Sequence, residues 1–118
     1  MILVDTSVWV DHLRKENERL IELLHDEQVL CHPFVVGELA SGNLGNRREV
    51  LALISALPQA RVAEHEEALH LIEVEQLRGR GIGWVDVHLL ASAMLTQSCL
   101  WTLDKALHKT ARDLKIVA

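Results

Sequence analysis

Short β-prone runs alternate along this chain with longer stretches in which apolar residues recur at helical spacing. The first run, residues 2–4, stops at three residues of types that favour helix N-caps, residues 5–7, and Trp9 and Leu13 then recur about one turn apart. The pattern predicts strands at residues 2–4, 29–31, 60–62, 99–101 and 115–117. It predicts helices at about 17–25, 33–42, 46–57, 64–80 and 85–97, with one more helix after residue 7 and another after residue 104.

Proline, glycine and charged residues mark where these helices begin and end. Pro33 suits the first position of a helix, and Pro58 prevents the preceding helix from continuing. The longest predicted helix, residues 64–80, has glutamates in its first turn and arginines in its last, so that each sign complements the helix dipole, and Gly81 ends it.

The order of the elements predicts the fold class. Strands that alternate with helices or helix pairs are typical of α/β proteins with a parallel sheet covered on both faces. We therefore predict one α/β domain over residues 1–118. In such sheets ligands bind beyond the carboxyl ends of the strands, so the residues that follow the strands are the first candidates for function.

Composition narrows the functional classes only slightly. The chain has 118 residues, of which 49% are hydrophobic, and a net charge of −5. This charge excludes a protein that holds nucleic acid through a general excess of positive charge, but it does not exclude a nuclease that gathers carboxylates around metal ions. No apolar run approaches the length of a membrane span, so we expect a cytoplasmic protein with Cys31 and Cys99 as unpaired, buried thiols.

Four acidic residues from distant parts of the chain are predicted to meet at the carboxyl edge of the sheet. Asp5 and Asp104 each follow a strand, and Asp86 stands in the first turn of the helix that leads into strand 99–101. Glu38 lies about 7.5 Å along the helix that begins at Pro33, on a stripe that the apolar spacing predicts to be buried. Each aspartate alone has an ordinary interpretation as a helix cap or dipole partner. Together the four predict a shared site.

A cluster of carboxylates predicts a hard metal ion. Like charges at one edge repel each other unless a cation neutralises them, and ligands that are all oxygen favour Mg²⁺, with Mn²⁺ as a substitute. Mg²⁺ held by carboxylates commonly recruits phosphate oxygens, as in the hydrolysis of phosphodiesters. The chain has no P-loop, no nucleophile elbow and no zinc-ligand spacing among its histidines.

Four segments resemble PIN-domain ribonucleases and, within them, VapC-like toxins of type II toxin–antitoxin pairs. They are Ile2-Leu3-Val4-Asp5-Thr6-Ser7-Val8-Trp9, Val36-Gly37-Glu38-Leu39, the run from Val85 to Ala93, and Trp101-Thr102-Leu103-Asp104. The resemblance implies a three-layer α/β/α fold with a mainly parallel sheet of about four to five strands, and it covers nearly the whole chain. It implies that Asp5, Glu38, Asp86 and Asp104 bind metal and act in catalysis, and that Thr6, Ser7 and Thr102 support the metal or a substrate phosphate.

The same resemblance implies a Mg²⁺-dependent endoribonuclease that cleaves RNA to restrain translation, forms a homodimer and pairs with a cognate antitoxin. Some members carry a further acid after the last aspartate, whereas residues 105–108 here are Lys-Ala-Leu-His, which leaves one or two metal ions open. Lys105, Lys109 and Arg112 continue the helix beside Asp104 and are candidates for an RNA-binding rim. Trp9 and Trp84 are interpreted as core or dimer-interface residues that shape the pocket wall, in preference to base-stacking platforms.

Two alternatives stay open at this point. A phosphorylation-dependent receiver domain shares the length, the parallel sheet and an acidic Mg²⁺ pocket, although it would have adjacent acids after the first strand where this chain has Asp5-Thr6. Formation of an aspartyl phosphate would distinguish it. A PIN-like binding module without catalysis is the other alternative, and the intact acids argue against it.

Overall fold

A computed structural model describes residues 1–118 and has a parallel sheet at its centre. Strand β1 (Ile2–Val4) lies in the middle, between β2 (Val29–Leu30) and β3 (Cys99–Trp101), in the order β2-β1-β3. Ile2 is paired with Val29 on one side and with Cys99 on the other. Both pairings are parallel, so all three strands end at the same edge.

Seven helices surround the sheet, and the predicted α/β class is confirmed. Side chains cap several of them: Asn17 accepts a hydrogen bond from the Leu20 N–H, and His32 accepts one from the Phe34 N–H. Their bounds are α1 (Thr6–Lys15), α2 (Glu18–His25), α3 (Pro33–Ser41), α4 (Arg47–Ala56), α5 (His65–Glu75), α6 (Trp84–Leu95) and α7 (Lys105–Asp113).

The core forms around β1 and α6. Leu3 and Val4 of β1 are fully buried, and a continuous buried run in α6, residues 87–93, packs against β1 and β3. A helix buried on all sides must be apolar on all sides, which explains why this segment shows little amphipathic periodicity. The same burial fixes the first turn of α6 at the carboxyl edge of the sheet.

The sheet is smaller than the predicted four to five strands. Residues 60–62 and 115–117 do not form strands, although Gln59 makes a single parallel bridge to Cys31 and Val117 makes one to Leu100. The pairing between Cys31 and Gln59 cannot continue past Cys31. The next carbonyl, that of His32, accepts hydrogen bonds from N–H groups in the first turn of α3. The chain therefore has five strand-like positions across the sheet but only three strands.

The predicted helix over residues 64–80 is shorter in the structure. It ends at Glu75, because Gln76 adopts a left-handed conformation with φ 52° and Leu77 turns back into the core. Arg78 and Arg80 consequently lie outside the helix, and Arg80 forms an ion pair with Asp113 of α7. The dipole complementarity predicted for the last turn is thus wrong.

Both cysteines are free thiols. Cys31 is buried, which raises the pKa of its thiol to about 11, whereas Cys99 is only half-buried. No helix in the structure combines the length and the apolar character that crossing a bilayer requires.

Candidate active site

Asp5 is a buried carboxylate held by two hydroxyl groups. Its backbone N–H continues the ladder by donating to the Trp101 carbonyl at 2.9 Å, which places the residue at the end of β1 and beside the end of β3. The side chain is 7% exposed, and its Oδ2 accepts hydrogen bonds of 2.7 Å from Ser7 Oγ and from Thr102 Oγ1. It occupies the N-cap position of α1 without capping it. The ordinary capping role therefore does not account for Asp5.

Ser7 and Thr102 connect the two turns that follow β1 and β3. Their hydroxyl oxygens lie 3.2 Å apart. Each hydroxyl that donates to Asp5 also accepts a backbone N–H, from Leu103 at 2.9 Å for Ser7 and from Asp104 at 3.1 Å for Thr102. The network fixes the orientation of the Asp5 carboxylate relative to the start of α7.

Glu38 reaches the same edge from α3. Its Oε1 accepts a hydrogen bond of 2.7 Å from Thr6 Oγ1, in the first turn of α1. The side chain is exposed, so the prediction that Glu38 lies on a buried stripe is wrong. Val35 and Leu39 form the buried side of α3, and position 38 falls outside it.

Asp86 lies in the first turn of α6, where its Oδ2 accepts a hydrogen bond of 3.0 Å from the Gly83 N–H. Burial raises the pKa of this carboxyl above its ordinary value, although the Gly83 N–H opposes the shift. The negative charges of Asp5, Asp104 and Glu38 raise the pKa further. The four predicted acids are therefore close enough to interact electrostatically.

Asp104 differs from the other three in having an evident structural role. Its Oδ2 caps α7 by accepting a hydrogen bond of 2.9 Å from the Leu107 N–H, and the side chain is exposed. The capping role leaves its other carboxylate oxygen without a hydrogen bond from the chain.

The donor chemistry at this edge fits a hard divalent cation. In each of the four acids the hydrogen bonds described above engage one carboxylate oxygen, so the second is available to a ligand. The side chains as they stand do not bring three ligating groups together at one point. Glu38 and Asp104 are exposed, however, so turning toward Asp5 and Asp86 would break at most the hydrogen bonds from Thr6 and the Leu107 N–H and would not disturb the core. A cation between them would offset the repulsion that acts on Asp86.

A basic groove of about 440 Å³ opens on the α7 side of the acids. The three predicted rim residues, Lys105, Lys109 and Arg112, all line it. Sequence analysis missed Arg19 of α2, whose guanidinium lies 4.5 Å from the centre of the Trp101 ring and adds a further positive charge. Only the packing of α2 against the end of β3 brings this arginine to the groove.

A second cleft, of about 480 Å³, opens beside Glu38. Its lining includes Thr6, Glu38, Arg14 and the loop at residues 42–46, together with apolar side chains of α1, α3 and α4. Thr102 lines the basic groove in turn. Of the four acids, only Glu38 lines the second cleft.

Trp9 and Trp84, the two tryptophans considered in the sequence analysis, have different surroundings. Trp9 is 1% exposed and belongs to the core, as predicted, whereas Trp84 is 40% exposed. Trp84 is not a core residue, because it is the first residue of α6 and its ring packs at the surface against the rings of His65 and His88.

Comparison with known proteins places this geometry in a family. The family model described as the PIN domain matches residues 2–113. The chain is 50% identical, over 108 residues, to Ribonuclease VapC32 from two strains of Mycobacterium tuberculosis, and the match spans 91% of this chain and 87% of the relative. A solved structure of FitAB bound to an IR36 DNA fragment has the same fold, with a TM-score of 0.65 and 22% identity over 95% of this chain and 91% of that one. The chain therefore belongs to the PIN domain family, within its VapC-like branch.

Proposed function

We propose that the protein is a Mg²⁺-dependent endoribonuclease, with Mn²⁺ as a substitute ion, that hydrolyses RNA phosphodiester bonds. The observation that carries the proposal is the buried Asp5 carboxylate, held by Ser7 and Thr102, whose charge acts together with those of Glu38 and Asp104 on Asp86 at the carboxyl edge of the sheet. A cluster of like charges is costly to the fold, so a functional ligand is the economical explanation. The ribonuclease name of the relative from M. tuberculosis supports RNA as the substrate.

Asp5, Glu38 and Asp86 are the residues that would hold the principal metal ion. When bound, a divalent cation supplies a Lewis acid that stabilises charge on a phosphate and lowers the pKa of a water molecule. Ser7 and Thr102 keep one oxygen of Asp5 fixed, so that the other is presented in one orientation. Thr6 orients Glu38 in the same way.

Asp104 has a different role in this proposal. We assign its exposed carboxylate to orienting the attacking water molecule and accepting its proton, or to holding a second ion. Because α7 begins at Asp104, the capping hydrogen bond from Leu107 restricts the side chain to the edge of the site. Thr102 accepts the backbone N–H of Asp104, and we propose that Ser7 and Thr102 support the metal or the substrate phosphate through the Asp5 carboxylate, to which both hydroxyls donate.

The basic groove provides a path for RNA beside Asp104, since Leu103 and Lys105, on either side of it in the chain, both line the groove. Lys105, Lys109 and Arg112 form a rim along α7, and Arg19 faces them from α2. Cationic side chains at this spacing contact successive phosphates without reading sequence. In the second cleft, which Glu38 also lines, Arg14 supplies a positive charge.

The wider biological role follows from the family. We propose that the protein is the toxin of a toxin–antitoxin pair, restrains translation by cleaving RNA, acts in the cytoplasm as a homodimer and is bound by a cognate antitoxin. The VapC-like relative supports this assignment. Membership of the PIN domain family removes the receiver alternative. A binding module without catalysis is disfavoured because all four acids are present at one edge.

A cleavage assay on total RNA tests the proposal directly. Purified protein is incubated with Mg²⁺ or Mn²⁺, and new 5′ ends are sequenced, with EDTA, Asp5→Asn and Asp86→Asn as negative controls. Asp26→Asn, an exposed aspartate at the end of α2, is a matched control that should cleave like the natural protein. Discrete ends that require metal and disappear in both site variants are expected. Cleavage at an unchanged rate by Asp5→Asn would show that the assigned site is wrong.

A further inference from the structure

We propose that Arg19, held over the ring of Trp101, binds one particular phosphate of the RNA strand outside the cleaved bond and thereby fixes which bond reaches the acids. The inference rests on the proposed ribonuclease function and deepens it. The cations of α7 attract the strand in general, whereas Arg19 is a positioning residue that sets the register of cleavage.

The charge of the basic groove is the first observation. The groove is lined by four cationic side chains and by no acidic one, although the chain has 17 acids and a net charge of −5. Asp113 lies near enough to Lys109 and Arg112 for their charges to lower its pKa, but its ion pair is with Arg80. Cations gathered without a counter-charge repel each other, so the groove fits a polyanion such as an RNA strand.

The position of Arg19 within the groove is the second observation. Its guanidinium carbon lies 4.5 Å from the centre of the Trp101 ring. Glu22, three residues further along α2, is at a spacing that favours an ion pair, yet Arg19 forms no ion pair with it or with any other acid. A guanidinium over an aromatic ring is held by that ring and still presents the N–H groups of its edge to a phosphate.

The connection from Trp101 to the acids is the third observation. The Trp101 carbonyl accepts the Asp5 N–H at 2.9 Å, and the next residue, Thr102, donates to the Asp5 carboxylate at 2.7 Å. Trp101 is 7% exposed, and both residues line the groove together with Arg19. The ring that supports Arg19 thus belongs to the same strand end that fixes Asp5. A phosphate bound by Arg19 is consequently held in a defined position relative to the site.

The cations of α7 have no comparable support. Lys105, Lys109 and Arg112 are exposed and lie along one face of the helix over about 10 Å. Neither an ion pair nor an aromatic ring holds their side chains. Mobile charges strengthen the binding of a strand without fixing one phosphate in one place. Affinity therefore depends on α7, and register depends on Arg19.

Continuity with the acidic site favours RNA over an acidic peptide as the occupant. Leu103 and Lys105 line the groove and flank Asp104 in the chain, so a strand in the groove passes beside the acids. A phosphodiester strand is attracted by the cations and is also what the acidic site is proposed to cleave. A peptide would match only the first of these properties.

The first test combines changes in the substrate with changes in the protein. A short single-stranded RNA is made around a site mapped by the cleavage assay, and its phosphates are replaced one at a time by uncharged methylphosphonates, each beside a 2′-O-methyl nucleotide. The 2′-O-methyl substitution alone is the control for the substrate. With saturating natural protein, one replacement outside the cleaved bond should slow cleavage about tenfold or more, because a charge-assisted contact is lost.

Arg19→Gln should cleave the unmodified RNA about as slowly as the natural protein cleaves that one modified RNA. Combining the two changes should cause little further loss, because both remove the same contact. Arg112→Gln is the matched control, since it removes an exposed cation from the same groove. In this variant the sensitive phosphate should stay sensitive.

The second test separates position from charge. Arg19→Lys keeps the charge but not the planar, bidentate group, so it should not restore the rate. In both Arg19 variants, new 5′ ends should spread to bonds on either side of the natural site, and kcat should fall more than KM rises. Arg112→Gln should raise KM and leave the ends in place. A merely structural role of Arg19 would lower the thermal midpoint without moving the ends.

Three results would overturn the inference while the proposed function stands. The first is that no methylphosphonate position depends on Arg19, and the second is that Arg19→Lys cleaves at the natural rate and site. The third is that hexaglutamate binds Asp5→Asn protein as tightly as a hexanucleotide RNA, which would reassign the groove to an acidic peptide. Failure of the natural protein to cleave any RNA would instead overturn the proposed function, and the inference with it.

Discussion

Thr102 Oγ1 donates a hydrogen bond of 2.7 Å to Asp5 Oδ2, although the two residues are 97 positions apart in the chain. The bond joins the turn after β3 to the turn after β1, and both residues are buried. Because the same hydroxyl accepts the Asp104 N–H, it links two of the four acids. This single side chain therefore positions the site and stabilises the edge of the sheet.

Thr102→Val should lower both stability and activity. The change leaves Asp5 with only Ser7 as a hydroxyl donor and deprives the Asp104 N–H of its acceptor, so we expect the free energy of unfolding to fall by about 1–3 kcal/mol. Cleavage should fall about tenfold or more, because an incorrectly oriented carboxylate loses positioning. Urea denaturation and initial cleavage rates measure the two effects. Thr110→Val is the matched control, since this buried threonine bonds only within α7, to the Ala106 carbonyl. Equal activity losses in the two variants would contradict the assigned role.

Asp86→Asn should stabilise the metal-free protein at neutral pH. Burial and the neighbouring acids raise the pKa of Asp86 in the folded state, so the fold holds the proton more tightly than the unfolded chain does. The stability this provides is present below the ordinary pKa of 3.8 and is lost as pH rises through the raised value. Asparagine retains the acceptor for Gly83 and carries no charge. Urea denaturation in EDTA should therefore give a higher free energy of unfolding for the variant than for the natural protein at pH 7. The difference should become smaller in acid.

Mg²⁺ should reverse the order of stability, making the natural protein more stable than Asp86→Asn. A cation that binds only the folded state stabilises it by mass action, and it does so more for the protein that keeps all its carboxylates. The thermal midpoint of the natural protein should rise with Mg²⁺ concentration, while that of Asp86→Asn should rise much less. Equal rises of the thermal midpoint in both proteins would show that Asp86 does not bind the metal ion.

His32 should make the fold sensitive to mild acid. Burial, and next the nearby His88, lower its pKa from 6.5 to about 4. The hydrogen bonds also favour the neutral ring: Nδ1 accepts the Phe34 N–H at 2.9 Å, so the proton is on Nε2, which faces Ser92 Oγ at 3.1 Å. A second proton on Nδ1 would break the cap of α3.

Because the pKa of His32 is lowered in the folded state, the protein should become less stable as the pH falls. Stability supplied by neutral His32 is present above 6.5 and is lost as pH falls toward about 4, by about 3 kcal/mol at most. Unfolding curves from pH 7 to pH 4 should show this loss in the natural protein. His32→Asn, which keeps a cap but cannot take up a proton in this range, should be less stable at pH 7 and show a flatter profile. Parallel profiles for the two proteins would refute the assignment.

The charges of the basic groove should control the salt dependence of RNA binding. Lys109→Gln combined with Arg112→Gln should weaken binding to all sequences and reduce the slope of log affinity against log salt by about 0.7 for each phosphate that is no longer neutralised. Fluorescence anisotropy with labelled single-stranded RNA, in an Asp5→Asn background, measures both quantities. Arg48→Gln removes an exposed charge on α4 outside the groove and should leave the slope unchanged. An unaltered slope in the double variant would place the RNA elsewhere.

Local chemistry was enough to predict the three strands, the starts of most helices and the common edge of Asp5, Asp86 and Asp104. Residues 2–4 form a strand because they are β-prone and end at capping residues, and α3 begins at Pro33 because proline has no N–H to lose there. Since parallel strands end at one edge, the positions of Asp5 and Asp104 after strands were enough to predict that they would be neighbours. Helix direction added Asp86 by the same argument.

Tertiary structure decided the properties that depend on neighbours distant in sequence. Glu38 is exposed because the orientation of α3 is set by its packing on α1 and α4, which the spacing of its apolar residues did not reveal. Arg19 reaches the basic groove only because α2 packs near the end of β3. Trp84 stays at the surface because α6 fills the core with other residues. A sequence specifies periodicity and direction, but exposure depends on which surfaces remain uncovered after all the elements have packed.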